Sequence, residues 1–284
     1  MVKPTHEFLS AVAAVVAGDA GGRTASRLCR PDCFLDAALL LCDADRVAIV
    51  TGFFIARAGR PETDGPSGAA LLARAFLMRG RHPEVWTDDG CLPAVLACTR
   101  TLGLSDDMVK VCSGNEDVSS LDAVVFIERP GRAADGRYYN FRCEDISSVV
   151  VPLDLLSERA IRAQVPVVGI GDGGNEAGMG NLRDALVALL PQYEGCLSVV
   201  PSTVALPVDV SNWGGYALTC VLSALWGEWC GHREWEESRM LRAMVGAGTV
   251  DGITLQSQPT VDGMSLEVHE AVARRLRTVY GEIE

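Results

Sequence analysis

Short apolar runs recur along this chain, each ending in a polar or glycine-rich turn and leading into a helical stretch. They fall at 46–51, 84–87, 109–112, 123–127 and 166–170, with two more at 197–200 and 205–210. Residues 123–127 (AVVFI) are apolar at every position, so neither face of such a strand is meant for water. Strands of that kind belong to parallel sheets covered on both sides. Helical stretches are read at 68–79, 90–102, 153–163, 177–190, 216–229, 233–245 and 264–279, and at 7–17 and 24–43 ahead of the first run. The alternation predicts an α/β fold of three layers, a mainly parallel sheet with helices on both faces. One domain is expected over residues 1–284, with 1–45 a helical N-terminal extension packed on it.

Charge and cysteine content narrow the function classes. The net charge of −12 argues against a nucleic-acid partner, since neutralising phosphates needs a basic surface. An anionic ligand would need a local positive site against that mean field. The ten cysteines include no CxxC pair, and several lie in apolar runs, as Cys220 does. They read as buried free thiols of a reducing compartment, with no disulfide framework. Cys29 and Cys33 with Cys230 and His232 lack the tight paired spacing of a zinc site. No run of about 20 apolar residues is present, so no membrane partner is expected. The first residues lack a targeting pattern, which favours a cytoplasmic location, with the mitochondrial matrix as the second option in a eukaryote.

Ligands of open α/β sheets sit beyond the carboxyl ends of the strands, so the turns there hold the candidate site. Thr51-Gly52 ends the first run. Glu62, Thr63 and Asp64 precede Gly-Pro and a helix, where Thr63 or Asp64 can cap and free N–H groups favour an anion. Asp88 and Asp89 are either solvated caps or oxygen ligands for a hard cation. Residues 128–140 (ERPGRAADGRYYN) bring Arg129, Arg132 and Arg137, with Arg142 beyond, beside Tyr139 and Asn140; arginine forks suit carboxylates. Residues 169–180 hold six glycines among Asp172, Asn175 and Glu176. Gly169, Gly171 and Gly174 match a dinucleotide fingerprint, but Asp172 and Glu176 would repel a pyrophosphate. Those carboxylates suit proton transfer, an ammonium group or a cation. Ser211 or Asn212 can cap the helix after the last run, and Gly214-Gly215 permit close approach. Asp251-Gly252 and Asp262-Gly263 read as turns alone. The four histidines are scattered and no GxSxG occurs, which argues against a hydrolase triad.

The segments TGFF, ETDGP, ERPGRAADGRYYN, GDGGNEAGMGN and SNWGGYAL follow one another in an order that resembles the D-glutamate cyclase family, over roughly residues 45 to 270. One departure is Cys143, where the pattern after Tyr-Tyr-Asn has glycine. The larger eukaryotic relatives carry a further domain ahead of this one, and the resemblance implies a stand-alone version here.

The resemblance implies a hydro-lyase that closes D-glutamate to 5-oxo-D-proline with loss of water. It sets Asp172, Glu176 and Asn175 as catalytic candidates. Arg129 and Arg132 would anchor a carboxylate that Tyr139 and Asn140 orient. Thr51, Gly52, Glu62, Asp64, Gly173, Gly174 and Asn212 would complete the substrate pocket, with Asp88 as a metal ligand if Mg²⁺ or Mn²⁺ takes part. The expected partner is a small anionic amino acid, and homo-oligomerisation stays open. Two other readings remain open: an enzyme on a phosphorylated or nucleotide substrate, and a non-catalytic module that binds an acidic amino acid.

Overall fold

The structure, a computed structural model, describes residues 4–281. Six strands form the main sheet: β1 (Arg46–Thr51), β4 (His82–Thr87), β5 (Val109–Val111), β6 (Ala123–Ile127), β7 (Val167–Gly171) and β8 (Val204–Pro207). A two-stranded ribbon, β2 (Phe54–Ile55) and β3 (Arg60–Pro61), follows β1. The sheet order is β5-β4-β1-β6-β7-β8, and every neighbouring pair is parallel. The chain thus winds outward from β1 in one direction and then from β6 in the other. That leaves a crevice at the carboxyl ends of β1 and β6.

The apolar runs work as the period-two rule requires. Val47 and Ile49 of β1, with Ala123, Val125 and Ile127 of β6, face the larger core. Ala48 and Val50, with Val124 and Phe126, face a smaller one. The larger core is closed by α1 (His6–Val16), α2 (Pro31–Leu41), α3 (Pro66–Met78), α4 (Leu92–Thr101), α7 (Ser211–Trp226), α8 (Glu234–Gly246) and α9 (Leu266–Gly281). The smaller is closed by α5 (Leu155–Arg162) and by irregular chain around Val118, Leu121 and Val200; α6 (Arg183–Leu189) packs on a satellite cluster. The three layers are therefore present but unequal. The segment ahead of β1 is built into the main core through Phe8, Leu9, Val12 and Phe34.

Four expectations change. The helical stretch 24–43 divides into a 3₁₀ turn, Ala25–Leu28, and α2, because Pro31 holds Arg30 extended (φ −111°, ψ 130°) and opens a new helix. The run 197–200 is not a strand: Ser198 and Val199 donate to Gly174 and Arg132 carbonyls, and Val200 accepts from Gly178 and Gly180. Its backbone partners lie in the loops around Arg132 and Gly174–Gly180 rather than in the sheet. The last sheet-following helix, α7, starts at Ser211 and includes Gly214-Gly215. A Cβ on Gly215 would lie 2.9 Å from the Gly68 Cα, so this glycine lets α3 and α7 cross closely.

The fourth change is a disulfide between Cys143 and Cys196, whose Cα atoms are 5.4 Å apart, against the expectation of free thiols alone. The two lie 53 residues apart, a separation that carries no pairing signal. Cys143 sits at φ +58°, the left-handed region, which is why glycine is the natural residue there. The other eight cysteines are free, and all but Cys29 are buried. Among the described residues no helix is long and apolar enough to cross a membrane.

Candidate active site

The crevice at the β1–β6 carboxyl ends is filled by carboxyl groups. Glu128 comes from the end of β6, and Asp172 and Glu176 come from the turn after β7. Glu62 and Asp64 come from the turn between β3 and α3, and Asp262 from the turn ahead of α9. All six carboxyl groups are withdrawn from solvent. One guanidinium enters their midst, that of Arg23, from the loop after α1. Its Nη1 donates to Asp172 Oδ1 at 2.5 Å and its Nη2 donates to Asp262 Oδ1. The guanidinium carbon stands 4.9 Å over the Phe141 ring.

So many acids in one dry place cannot all ionise at neutral pH. Burial pushes Glu62 well above the usual carboxylate range, and Glu128 adds to the effect. Burial does the same to Glu128, helped by Glu176, and to Asp172, where Arg23 works against it. Asp64 is pushed up to about 7 by burial and by Asp262. Burial opposes the Arg23 charge, but Asp172 and Asp262 outweigh it and hold the guanidinium more firmly protonated.

Local structure explains how each group is aimed. Glu128 adopts φ +46°, a strained region for a residue with a side chain, and this turns its carboxylate inward to accept from Ser211 Oγ at 2.6 Å. Glu176 folds back over its own loop and accepts from the N–H groups of Gly173 and Gly174 at 2.8 and 2.7 Å. Room for it comes from Gly171, where a Cβ would lie 2.5 Å from Glu176 Oε2. Asn175 donates its amide to the Tyr139 carbonyl at 3.1 Å, and its buried Oδ1 has no partner. Asp172 Oδ2, Asp262 Oδ2 and Glu62 Oε1 are likewise buried and unpartnered.

Asp64 and Asn212 exchange helices. Asp64 accepts from Ser211 N and Asn212 N at 2.9 and 2.8 Å and so caps α7 rather than the helix that follows it. Asn212 Oδ1 accepts from Gly65 N and Gly68 N, both at 2.9 Å, and caps α3, while its amide donates to the Thr63 carbonyl at 3.0 Å. Two helix N-termini are thereby locked together under the acid cluster.

Of the residues singled out from sequence, Glu62, Asp64, Asp172, Gly173, Gly174, Asn175 and Glu176 meet here, and Asn140 lines the adjoining cleft. Thr51 lies beneath it, its hydroxyl against Gly65. Gly173 and Gly174 point their N–H groups at Glu176 instead of leaving them free for an anion. Five others turn elsewhere. Arg129 donates to Gly52 O at 2.9 Å, to Val151 O at 2.5 Å and to Asp88, so Gly52 and Asp88 serve to fix this buried arginine. Asp88 Oδ1 also accepts from Cys91 N at 3.0 Å. Arg132 is held by Asp154 at 2.8 Å and by Glu158. Tyr139 directs its hydroxyl to exposed Asp135 at 2.7 Å.

Arg23, Glu128, Asp262 and Phe141 were missed. Glu128 had a signal, since it directly follows an apolar run. Asp262 does sit in a turn, at φ +53°, but the turn delivers its carboxylate to the cluster. Nothing local marked Arg23.

Two cavities meet at the site. The inner one, about 30 Å³, holds little more than a water and lies among Phe53, Phe54, Glu62, Glu128 and Gly252. The outer one, about 400 Å³, lies among Gly22, Thr24, Gly173, Tyr193 and Leu197 and reaches the disulfide at Cys196. Arg23, Asn140, Phe141 and Asn175 line both and form the partition between them.

Residues 12–277 match a family described as D-glutamate cyclase-like, C-terminal. The chain is 32% identical over 280 residues to the Homo sapiens protein named D-glutamate cyclase, mitochondrial. The match takes in 88% of this chain but 44% of that relative, so the chain spans less than half of the relative's length.

Proposed function

This chain belongs to the D-glutamate cyclase-like family, and from that premise we propose that it closes D-glutamate to 5-oxo-D-proline with release of water. The observation that carries the reading is the buried carboxyl cluster with Arg23 inside it, at the sheet's crevice. Cyclisation forms a bond from the α-nitrogen to the carbon of the γ-carboxyl group and breaks a bond from that carbon to oxygen. The ammonium group loses two protons in all, and both end on the departing oxygen as water. Two carboxyl groups that can each accept and return a proton therefore suffice.

Asp172 and Glu176 are adjacent members of the cluster and take those roles. Burial and acidic neighbours push the Asp172 carboxyl well above the usual carboxylate range, against the pull of Arg23. Glu176 is fixed by two peptide N–H groups, which set the direction of its carboxylate. Asn175 Oδ1, unpartnered at the partition, is free to accept from the substrate ammonium.

An all-carboxylate set suits a hard cation better than a soft one. Glu128, Asp172 and Glu176, or Asp64, Asp172 and Asp262, have ligand atoms within 4.8 Å of one another and would hold Mg²⁺ or Mn²⁺. Such an ion supplies Lewis acidity toward the γ-carboxyl group.

The test is a chiral assay of purified protein with D- and L-glutamate, with and without Mg²⁺ or Mn²⁺, against spontaneous cyclisation. Asp172→Asn is the cleaner probe, because it preserves the acceptor for Arg23, whereas an amide at 176 would put N–H groups against the Gly173 and Gly174 donors. Turnover of D-glutamate above control, reduced about 100-fold or more by Asp172→Asn, is the expected result. Absence of product from the folded wild-type chain overturns the reading.

A further inference from the structure

We infer that Arg23 is the specificity residue for the ligand's non-reacting α-carboxylate, which it takes up by leaving the two aspartates as the ligand's ammonium group replaces it there. This rests on the cyclase reading for the identity of the ligand.

Position is the first argument. Arg23 stands on the partition, with its guanidinium between Asp172 and Asp262, and lines the 400 Å³ outer cavity as well as the inner one. The outer cavity, about 400 Å³, has room for an amino acid, and a ligand there lies against Arg23.

Charge balance is the second. An ammonium can take the guanidinium's place between Asp172 and Asp262, each of which has an unpartnered buried Oδ2 ready to accept. The guanidinium, displaced toward the outer cavity, needs an anion in turn, and the same ligand carries one. Each buried charge then keeps a partner throughout the exchange, which a neutral or purely anionic ligand would not allow. The fork geometry of arginine fits a carboxylate at two points.

Mechanical support is the third. Asp209 accepts from the N–H groups of Gly18 and Asp19, both at 2.7 Å, and Asp19 accepts from Thr24 N at 3.0 Å and grips Arg27. The loop is pinned on either side of Gly21-Gly22, so the guanidinium can travel by side-chain rotation over the Phe141 ring while the backbone stays in place.

The experiment compares dissociation constants of D-glutamate and its α-amide for the wild type and for Arg23→Gln, with 5-oxoproline followed in the same samples. The wild type is expected to prefer D-glutamate by about tenfold or more, the range of a charge-assisted hydrogen bond. In Arg23→Gln the ratio should fall to within about threefold of unity, through loss on D-glutamate alone. Arg23→Lys retains the charge that the cluster needs and serves if Arg23→Gln does not fold; its ratio should fall several-fold. An unchanged ratio in the variants, or equal weakening of both ligands, overturns the inference and leaves Arg23 a neutralising group. Selective binding without product would sink the cyclase reading and leave the Arg23 assignment standing. Product without preference for the free carboxylate would do the reverse, and no binding of either ligand would end both.

Discussion

Replacing Asn212 by alanine tests whether the floor of the site is held by exchanged caps. The side chain makes three buried hydrogen bonds: Oδ1 accepts from Gly65 N and Gly68 N, and Nδ2 donates to Thr63 O. Gly65 N would keep a second acceptor, Asp64 Oδ1 at 2.9 Å. Gly68 N and Thr63 O would be left without one in a region closed to water. An unpaired buried polar group costs roughly 1–3 kcal/mol, and a lost cap about 1 kcal/mol on its own. These overlap, so about 3 kcal/mol is expected in total, or a fall of about 5 °C in melting midpoint for a chain of this size. Urea unfolding followed by circular dichroism measures it. Asp64→Ala and the double variant complete a cycle. Because Asp64 also accepts directly from Asn212 N, the two changes should couple by about 1 kcal/mol or more. A loss below about 0.5 kcal/mol, or strict additivity, would refute the exchanged-cap argument.

Two further predictions concern pH and redox state. Asp64 rises from 3.8 to about 7 on folding, so the native state binds more protons than the unfolded state between those values. Its contribution is complete below about pH 4 and is lost as pH rises through about 7, and Glu62, Glu128 and Asp172 act in the same direction. From pH 5 to 8 Asp64 alone removes about 3 kcal/mol, opposed in part by His269, whose imidazole burial shifts to a lower pKa. Urea midpoints at constant ionic strength should therefore fall over that interval, and a rising profile would contradict the account of the cluster. The Cys143–Cys196 bond closes a loop of 53 residues' separation, for which chain entropy suggests about 4 kcal/mol. Reductant and Cys143→Ser should each lower the unfolding free energy by that order and should not add; an unaffected midpoint would show that the loops are held without the bond.

What the sequence alone determined was the part that depends on near neighbours. Apolar runs at 46–51, 123–127 and 166–170 carry their own instruction to be covered on both faces, and β1, β6 and β7 follow. The polar turns at their ends had to lie along the carboxyl edge, which is why Asp172, Asn175, Glu176, Glu62 and Asp64 could be named before their meeting was visible. Tertiary structure decided everything that depends on which distant segments meet. Arg23 reaches Asp172 across 149 positions and Asp262 across 239. Asp64 caps a helix about 147 positions away, and Cys143 finds Cys196 across 53. Arg129 and Arg132, which look in sequence like anion binders, face Asp88 and Asp154 and become part of the scaffold. The reason is physical: backbone periodicity and burial are set within a few residues, whereas a charge takes its meaning from its nearest opposite charge, and only the sheet order brings those two together.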